Sequence, residues 1–296
     1  MNPAGVDRPL GPQVPSSNFP VPYDSAVWRL ADIVEYGEIV VFAALRQMAD
    51  HKNEWLENFY RVHKDWVDRD EAPFAFVVPA DQPDPFETYE LLRLLDFAEV
   101  EIHRSRSTFT ADGTTYPAGS WVIDLAQPYG AFARTMLERQ VYPDLRYYPG
   151  GPPIPPYDVT AHTLGLLMGV DVDQINTRFD AELERIEELT PQVTPLPNRP
   201  DWAYTISPTS NAAFQAVTQL EDVGVPVFRT AEATQVGDQS VAPGAWIVPP
   251  TTAAEQVLQR TIEETGLVVS ASLGNRACPP TGGLFLSGIR LLSLQR

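Results

Sequence analysis

An internal repeat constrains this chain more than any other feature. Residues 74–121 contain Phe74-Ala-Phe-Val-Val-Pro79, a helix pattern at Leu91, Leu94, Leu95 and Ala98, then Val100-Glu-Ile-His-Arg104, and finally Pro117-Ala-Gly-Ser-Trp121. Residues 202–246 keep the order and the types: Trp202-Ala-Tyr-Thr-Ile-Ser207, then Phe214, Val217 and Leu220, then Val225-Pro-Val-Phe-Arg229, then Ala242-Pro-Gly-Ala-Trp246. In both copies the tryptophan stands seventeen residues after the arginine. Strand, helix and strand in that order make a βαβ unit, whose parallel strands require a crossover of this kind. The expected fold is therefore α/β: two repeated β-α-β units with mostly parallel strands, preceded by a long helical segment.

Four regions follow from this reading. Residues 1–70 form an extended arm plus the long helical segment, and the first 23 residues hold six prolines. Asp24 and Ser25 can cap a helix that begins near Val27 and keeps its periodicity to about Val67, with Trp55, Phe59, Val62 and Trp66 in one stripe. Unbroken, such a helix would run roughly 60 Å, so a break is expected near Gly37 or between Ala49 and Asn53. Residues 71–140 are the first α/β unit, in which Asp84-Pro85-Phe-Glu87 opens a helix and Asp112-Gly113 makes a hairpin turn. Residues 141–200 are a proline-rich connector, its tyrosines expected to pack, with an amphipathic helix marked by Val172, Ile175, Phe179, Leu183 and Ile186. Residues 201–296 are the second α/β unit, its last helix capped by Thr252 and Glu255 and ended by Gly266, followed by an apolar strand or arm over residues 284–294.

Charge and composition narrow the function. A net charge of −18 and a pI near 4.5 disfavour nucleic acid and anionic membranes, which call for basic patches. No run of 18 apolar residues and no signal-peptide pattern is present, so neither a membrane partner nor a compartment is expected from the residues alone. The single cysteine, Cys278, excludes an internal disulfide framework.

The chemical candidates are sparse. His51-Lys-Asn-Glu54 with the distant His162 has the residue types of a zinc site, but it falls in mid-helix, where a solvated face explains it. Cys278 with His103 would be the pair needed for a cysteine-dependent hydrolase, yet proline follows the cysteine directly and no nucleophile motif surrounds it. Gly282-Gly283 lacks the spacing of a phosphate loop and reads as a turn. A small-molecule or peptide site fits better at the strand-end loops, where Asp81, Gln82 and Asn211 can converge, although turn formation and capping use the same residue types.

Asn18-Phe-Pro-Val-Pro-Tyr23, Trp28-Arg-Leu-Ala-Asp-Ile-Val-Glu-Tyr36, Asn58-Phe-Tyr60, Tyr116-Pro-Ala-Gly-Ser-Trp121 and Tyr148-Pro-Gly-Gly-Pro-Pro153 continued by Pro156-Tyr-Asp-Val-Thr160 carry a resemblance. Together they resemble the region just downstream of the catalytic domain in large bacterial zinc carboxypeptidases of the carboxypeptidase A-like metallopeptidase family. That family implies cleavage at a peptide's carboxyl terminus by a zinc-bound water with a glutamate as general base, in a secreted or periplasmic setting. Its zinc ligands and catalytic glutamate belong upstream of the segment matching Asn18, so no catalytic or metal residue carries over. What the resemblance implies is an accessory, non-catalytic region with no cofactor of its own, zinc being held in the parent family by the metallopeptidase domain that is its partner. A peptide substrate is the further ligand it suggests.

Overall fold

A computed structural model describes residues 29–141, 143–155, 162–236, 239–272 and 291–293. The chain divides into two compact units, Met1–Arg61 and Val62–Arg296. Helices α1 (Leu30–Asp50) and α2 (Lys52–Val67) account for the described part of the first, the last turns of α2 belonging to the second. The break between them falls at His51, inside the interval expected from the length argument. The Asp32 carboxylate accepts from the Arg29 N–H at 2.7 Å and so satisfies one donor of the opening turn. The caps expected at Asp24 and Ser25 lie outside the described residues. No residue of α1 or α2 is buried.

The second unit holds both repeats. The first comprises β1 (Ala75–Val78), α3 (Pro85–Phe97), β2 (His103–Ser105), β3 (Phe109–Ala111), β4 (Thr114–Tyr116), β5 (Trp121–Asp124), α4 (Gly130–Leu137), α5 (Leu164–Met168), β6 (Asp173–Ile175) and β7 (Leu183–Arg185). The other comprises β8 (Ala203–Ile206), α6 (Asn211–Asp222), β9 (Phe228–Thr230), β10 (Thr234–Val236), β11 (Gln239–Val241), β12 (Trp246–Val248), α7 (Thr252–Thr265), β13 (Val269–Ser272) and β14 (Leu291–Ser293). Strand order is β6-β1-β5-β2-β7 in one sheet and β13-β8-β12-β9-β14 in the other, so each strand of one five-stranded sheet has a counterpart in the other, while α5 has none among the described residues of the second repeat.

The expectation of mostly parallel strands is overturned: every pairing in these sheets is antiparallel, and the fold is mixed α/β with antiparallel sheets. The crossover from β1 through α3 to β2 does leave those two strands pointing the same way. However, β5 inserts between them and pairs antiparallel with both, as β12 does between β8 and β9. All four residues of β1 are buried, as a strand covered on both faces requires. Phe76 and Val78 meet α3 and α4, while Ala75 and Val77 meet Phe109, Ala111 and Tyr116 of the β3–β4 hairpin. The second sheet is enclosed in the same way, with Tyr204 and Ile206 against α6 and α7, and Ala203 with Val241 on the hairpin side.

The amphipathic helix expected over residues 172–186 is instead the pair of edge strands β6 and β7. A helical stripe would send its apolar residues to one face. Val172 and Ile186 join the helix-side core of the first repeat, but Ile175, Phe179 and Leu183 join its hairpin side. Covering β1 and β2 satisfies their outer backbone groups, which outweighs the local periodicity.

Smaller expectations fare variously. Asp112 and Gly113 take positive φ in the β3–β4 turn, as expected for an Asp-Gly hairpin. The last helix is capped one residue earlier than expected, by Thr251, whose side chain accepts from Ala254 N–H, and it ends at Gly266 in the left-handed conformation. Tyr147 and Tyr148 of the connector are exposed rather than packed. The expected 284–294 strand is described only as β14, paired with β9, while Cys278 and Gly282-Gly283 lie outside the described residues. No helix among the described residues is long and apolar enough to cross a membrane.

Candidate functional site

The repeated arginine and tryptophan are cross-strand neighbours. Arg104 lies opposite Trp121 in the β2–β5 register, and Arg229 opposite Trp246 in the β9–β12 register. Seventeen residues is the length of a strand, a hairpin and the return needed to bring them together. The guanidinium carbon of Arg104 stands 4.9 Å from the Trp121 ring centroid and that of Arg229 stands 4.7 Å from Trp246. Cation–π attraction therefore fixes both indoles. The same arginines donate from Nε to the carbonyls of Gly119 at 3.3 Å and Gly244 at 3.1 Å. Both glycines have positive φ, and a Cβ at either would crowd the guanidinium at 3.4 and 3.2 Å, so the Pro/Ala-rich turn before each tryptophan needs glycine there.

Beside this frame the N-termini of α3 and α6 meet on one buried carboxylate. Asp84 is the cap of α3, its Oδ1 accepting from Phe86 N–H at 3.1 Å. The same oxygen accepts from the Ser210 hydroxyl at 2.8 Å, and Oδ2 accepts from the Asn211 N–H at 2.8 Å. Glu87, in the first turn of α3, accepts from the Asn211 side-chain amide at 2.7 Å. One carboxylate therefore serves the open ends of both helices and ties the repeats together, and Phe86 adds to the tie by packing on the core of the second repeat.

This arrangement places the residues singled out from sequence. The Gln82 side chain accepts from Asp171 N–H at 3.0 Å and donates to the carbonyls of Asp171 and Pro79, both at 3.1 Å. Asn211 is engaged with Glu87 and Asp84, and Asp81 is exposed. Gln82 and Asn211 thus spend their amides on internal partners. Of the other candidates, His51 Nδ1 lies 3.3 Å from Glu54 Oε1 on the exposed helix face, and no group of three potential metal ligands forms among the described residues. His103 sits on β2 with its Nδ1 buried and without a hydrogen-bond partner among the described residues, and its companion in that pair, Cys278, lies outside them.

Sequence reasoning missed a cleft of about 60 Å³ at the carboxyl end of β1. By the same measure one water needs roughly 10–15 Å³, so a group of several heavy atoms fits. Its apolar wall is Ala80, Pro85, Leu92, Trp121 and Leu189, and its polar wall is Gln82, Thr88, Tyr89, Thr190 and Gln192. No charged side chain lines it among the described residues. The signal lay in the repeat itself: Thr88 stands four residues after the cap Asp84, where Phe214 stands four after the cap Ser210. Phe214 packs edge-on against Trp246 with centroids 5.8 Å apart and planes at 83°, whereas Thr88 leaves the space next to Trp121 open.

A second, wider groove of about 590 Å³ follows α7, lined in part by Arg199, Tyr204, Glu255 and Arg260. Arg199 donates to both Glu255 oxygens, and the Tyr204 hydroxyl donates to Oε1 at 3.2 Å. The Arg199 hydrogen bonds hold Glu255 below its ordinary value of 4.5, against the opposing effect of partial burial. The unfolded chain therefore takes up this proton first as the pH falls. The stabilisation is complete above pH 4.5 and is lost as acidification carries the pH through the lower folded-state value. Glu255→Gln should accordingly flatten the stability curve below that pH, measured as urea midpoints across an acid series. An unchanged curve would show that the ion pair contributes nothing.

No family model, curated protein or solved structure matches this chain.

Proposed function

We propose that the chain is a non-catalytic accessory region of a zinc carboxypeptidase-like metallopeptidase, which docks on the catalytic domain through α1 and the first turns of α2 and supports it or shapes access to its cleft. The observation that carries this reading is the state of α1. Twenty-one residues long and about 30 Å in extent, it has no buried residue. Phe42 is 69% exposed and Val40 66%, with Ile33, Val34, Ile39, Val41 and Leu45 at half or more. Apolar surface this continuous marks an interaction face rather than scattered surface residues. Residues that carry the family resemblance lie on it: Ile33, Val34 and Tyr36 on α1, with Phe59 and Tyr60 on α2, are all exposed.

The test is titration of the purified chain into a metallopeptidase domain of that family, followed by calorimetry. Burying Ile39 and Phe42 is worth about 1.5–3 kcal/mol each. The pair Ile39→Asp with Phe42→Asp should therefore weaken association by at least about a hundredfold. Because both side chains are exposed, thermal unfolding of the free chain should not move. In parallel, the chain alone should release no carboxyl-terminal residue from a peptide in the presence of zinc. Chelator-sensitive release would refute the non-catalytic reading, and absence of association would refute the docking.

A further inference from the structure

We propose that the cleft beside Trp121 is a binding site for an uncharged aromatic ring bearing a hydrogen-bonding substituent, the chemistry of a phenol. The second repeat supplies the internal precedent. There the edge-on partner of the tryptophan is built into the chain as Phe214, at 5.8 Å from Trp246. In the first repeat the matching position is Thr88, too short to fill the space, and its hydroxyl is already donated to the Asp84 carbonyl at 3.0 Å. The indole is nonetheless held in the same way in both repeats, by an arginine over its ring and a glycine carbonyl behind that arginine. The first repeat thus keeps the aromatic platform and omits the aromatic partner. A ring delivered from outside restores the edge-to-face pair.

The lining selects the ring's chemistry. With no charged side chain in the cleft among the described residues, a carboxylate or ammonium would lose its hydration without a compensating partner, so the ligand is neutral. A bare hydrocarbon would leave the polar wall unused. The Thr190 hydroxyl and Gln192 side-chain amide make no hydrogen bond among the described residues and face the cleft from an exposed segment, where a substituent on the ring can meet them. The phenol can be a free small molecule or the side chain of a tyrosine in a peptide.

The experiment follows the Trp121 indole N–H by two-dimensional NMR during titration with p-cresol, N-acetyl-tyrosinamide and toluene. A saturable shift with p-cresol is the expected result. Binding of N-acetyl-tyrosinamide as well assigns the site to a peptide side chain, and binding of p-cresol alone assigns it to a free phenol. Thr88→Phe fills the cleft and should weaken p-cresol by at least about tenfold, because its own ring takes the ligand's place. Gln192→Leu, at an exposed position that does not threaten folding, should weaken p-cresol while leaving toluene unchanged. Phe214→Ala should open a matching response at Trp246. No saturable shift at Trp121 with either phenol, or equal p-cresol affinity in Gln192→Leu and the unmodified chain, overturns the proposal.

Discussion

Asp84→Ala is expected to destabilise the chain by about 3–5 kcal/mol, the largest effect of any single polar substitution in the described residues. The carboxylate caps two helices, and removing a cap costs about 1 kcal/mol each. The change also strips the acceptor from the Ser210 hydroxyl, which is buried, and a buried donor left without a partner costs about 1–3 kcal/mol. Since both helix ends and both repeats share one residue, the loss should appear as a single cooperative shift of the urea midpoint rather than as melting of one repeat. Asp84→Asn keeps one acceptor oxygen but turns a donor toward another N–H, so it should recover only part of the loss. Asp81→Ala, three residues away and exposed, should lie within about 0.5 kcal/mol of the unmodified chain. If Asp84→Ala also stays within that range, the shared cap is not what joins the repeats.

The next largest effect separates the two tryptophans. Trp246 is 3% exposed, in a T-shaped pair with Phe214 and with Arg229 over its face, so Trp246→Ala should cost about 3–5 kcal/mol, as truncation of a packed aromatic does. Trp121, at 6% exposed, has the same arginine contact but lines the cleft and has no ring partner matching Phe214 among the described residues, so fewer packed atoms lose a neighbour when it is removed. Trp121→Ala should be milder by about 1 kcal/mol or more. Denaturation of the two variants under one set of conditions checks the order. Equal losses would mean that the cleft is closed in solution.

The two repeats were legible because their markers are local. Arginine, glycine and tryptophan keep their spacing, and the structure explains the spacing by placing each arginine opposite its tryptophan. The Asp84 cap and the Asp112-Gly113 turn were legible for the same reason, since each is specified within a few residues. Strand direction was not legible. β5 follows β2 through the β3–β4 hairpin and then enters the sheet between β2 and the much earlier β1, and no local pattern announces that it inserts there rather than at an edge. Residues 172–186 misled because helical spacing of their apolar residues coincides with alternation between two faces of a sheet edge. Among the site candidates, Gln82 lies in the loop after β1 and Asn211 opens α6, and sequence does not tell an amide that meets a ligand from one that meets Asp171 or Glu87. The double duty of Asp84 depends on a contact across more than a hundred residues, beyond the reach of any capping pattern.

The proposed docking of α1 on a metallopeptidase domain, with the two repeats in a supporting role, is the reading on which the rest depends. Hydrogen–deuterium exchange of the chain, alone and with that domain added, tests it most directly. With no buried residue, α1 should exchange quickly in the free chain, and its amides over Leu30–Asp50 should be protected strongly once the domain is present, while the cores of the two sheets change little. Unchanged exchange across α1 in the presence of the domain would contradict the account.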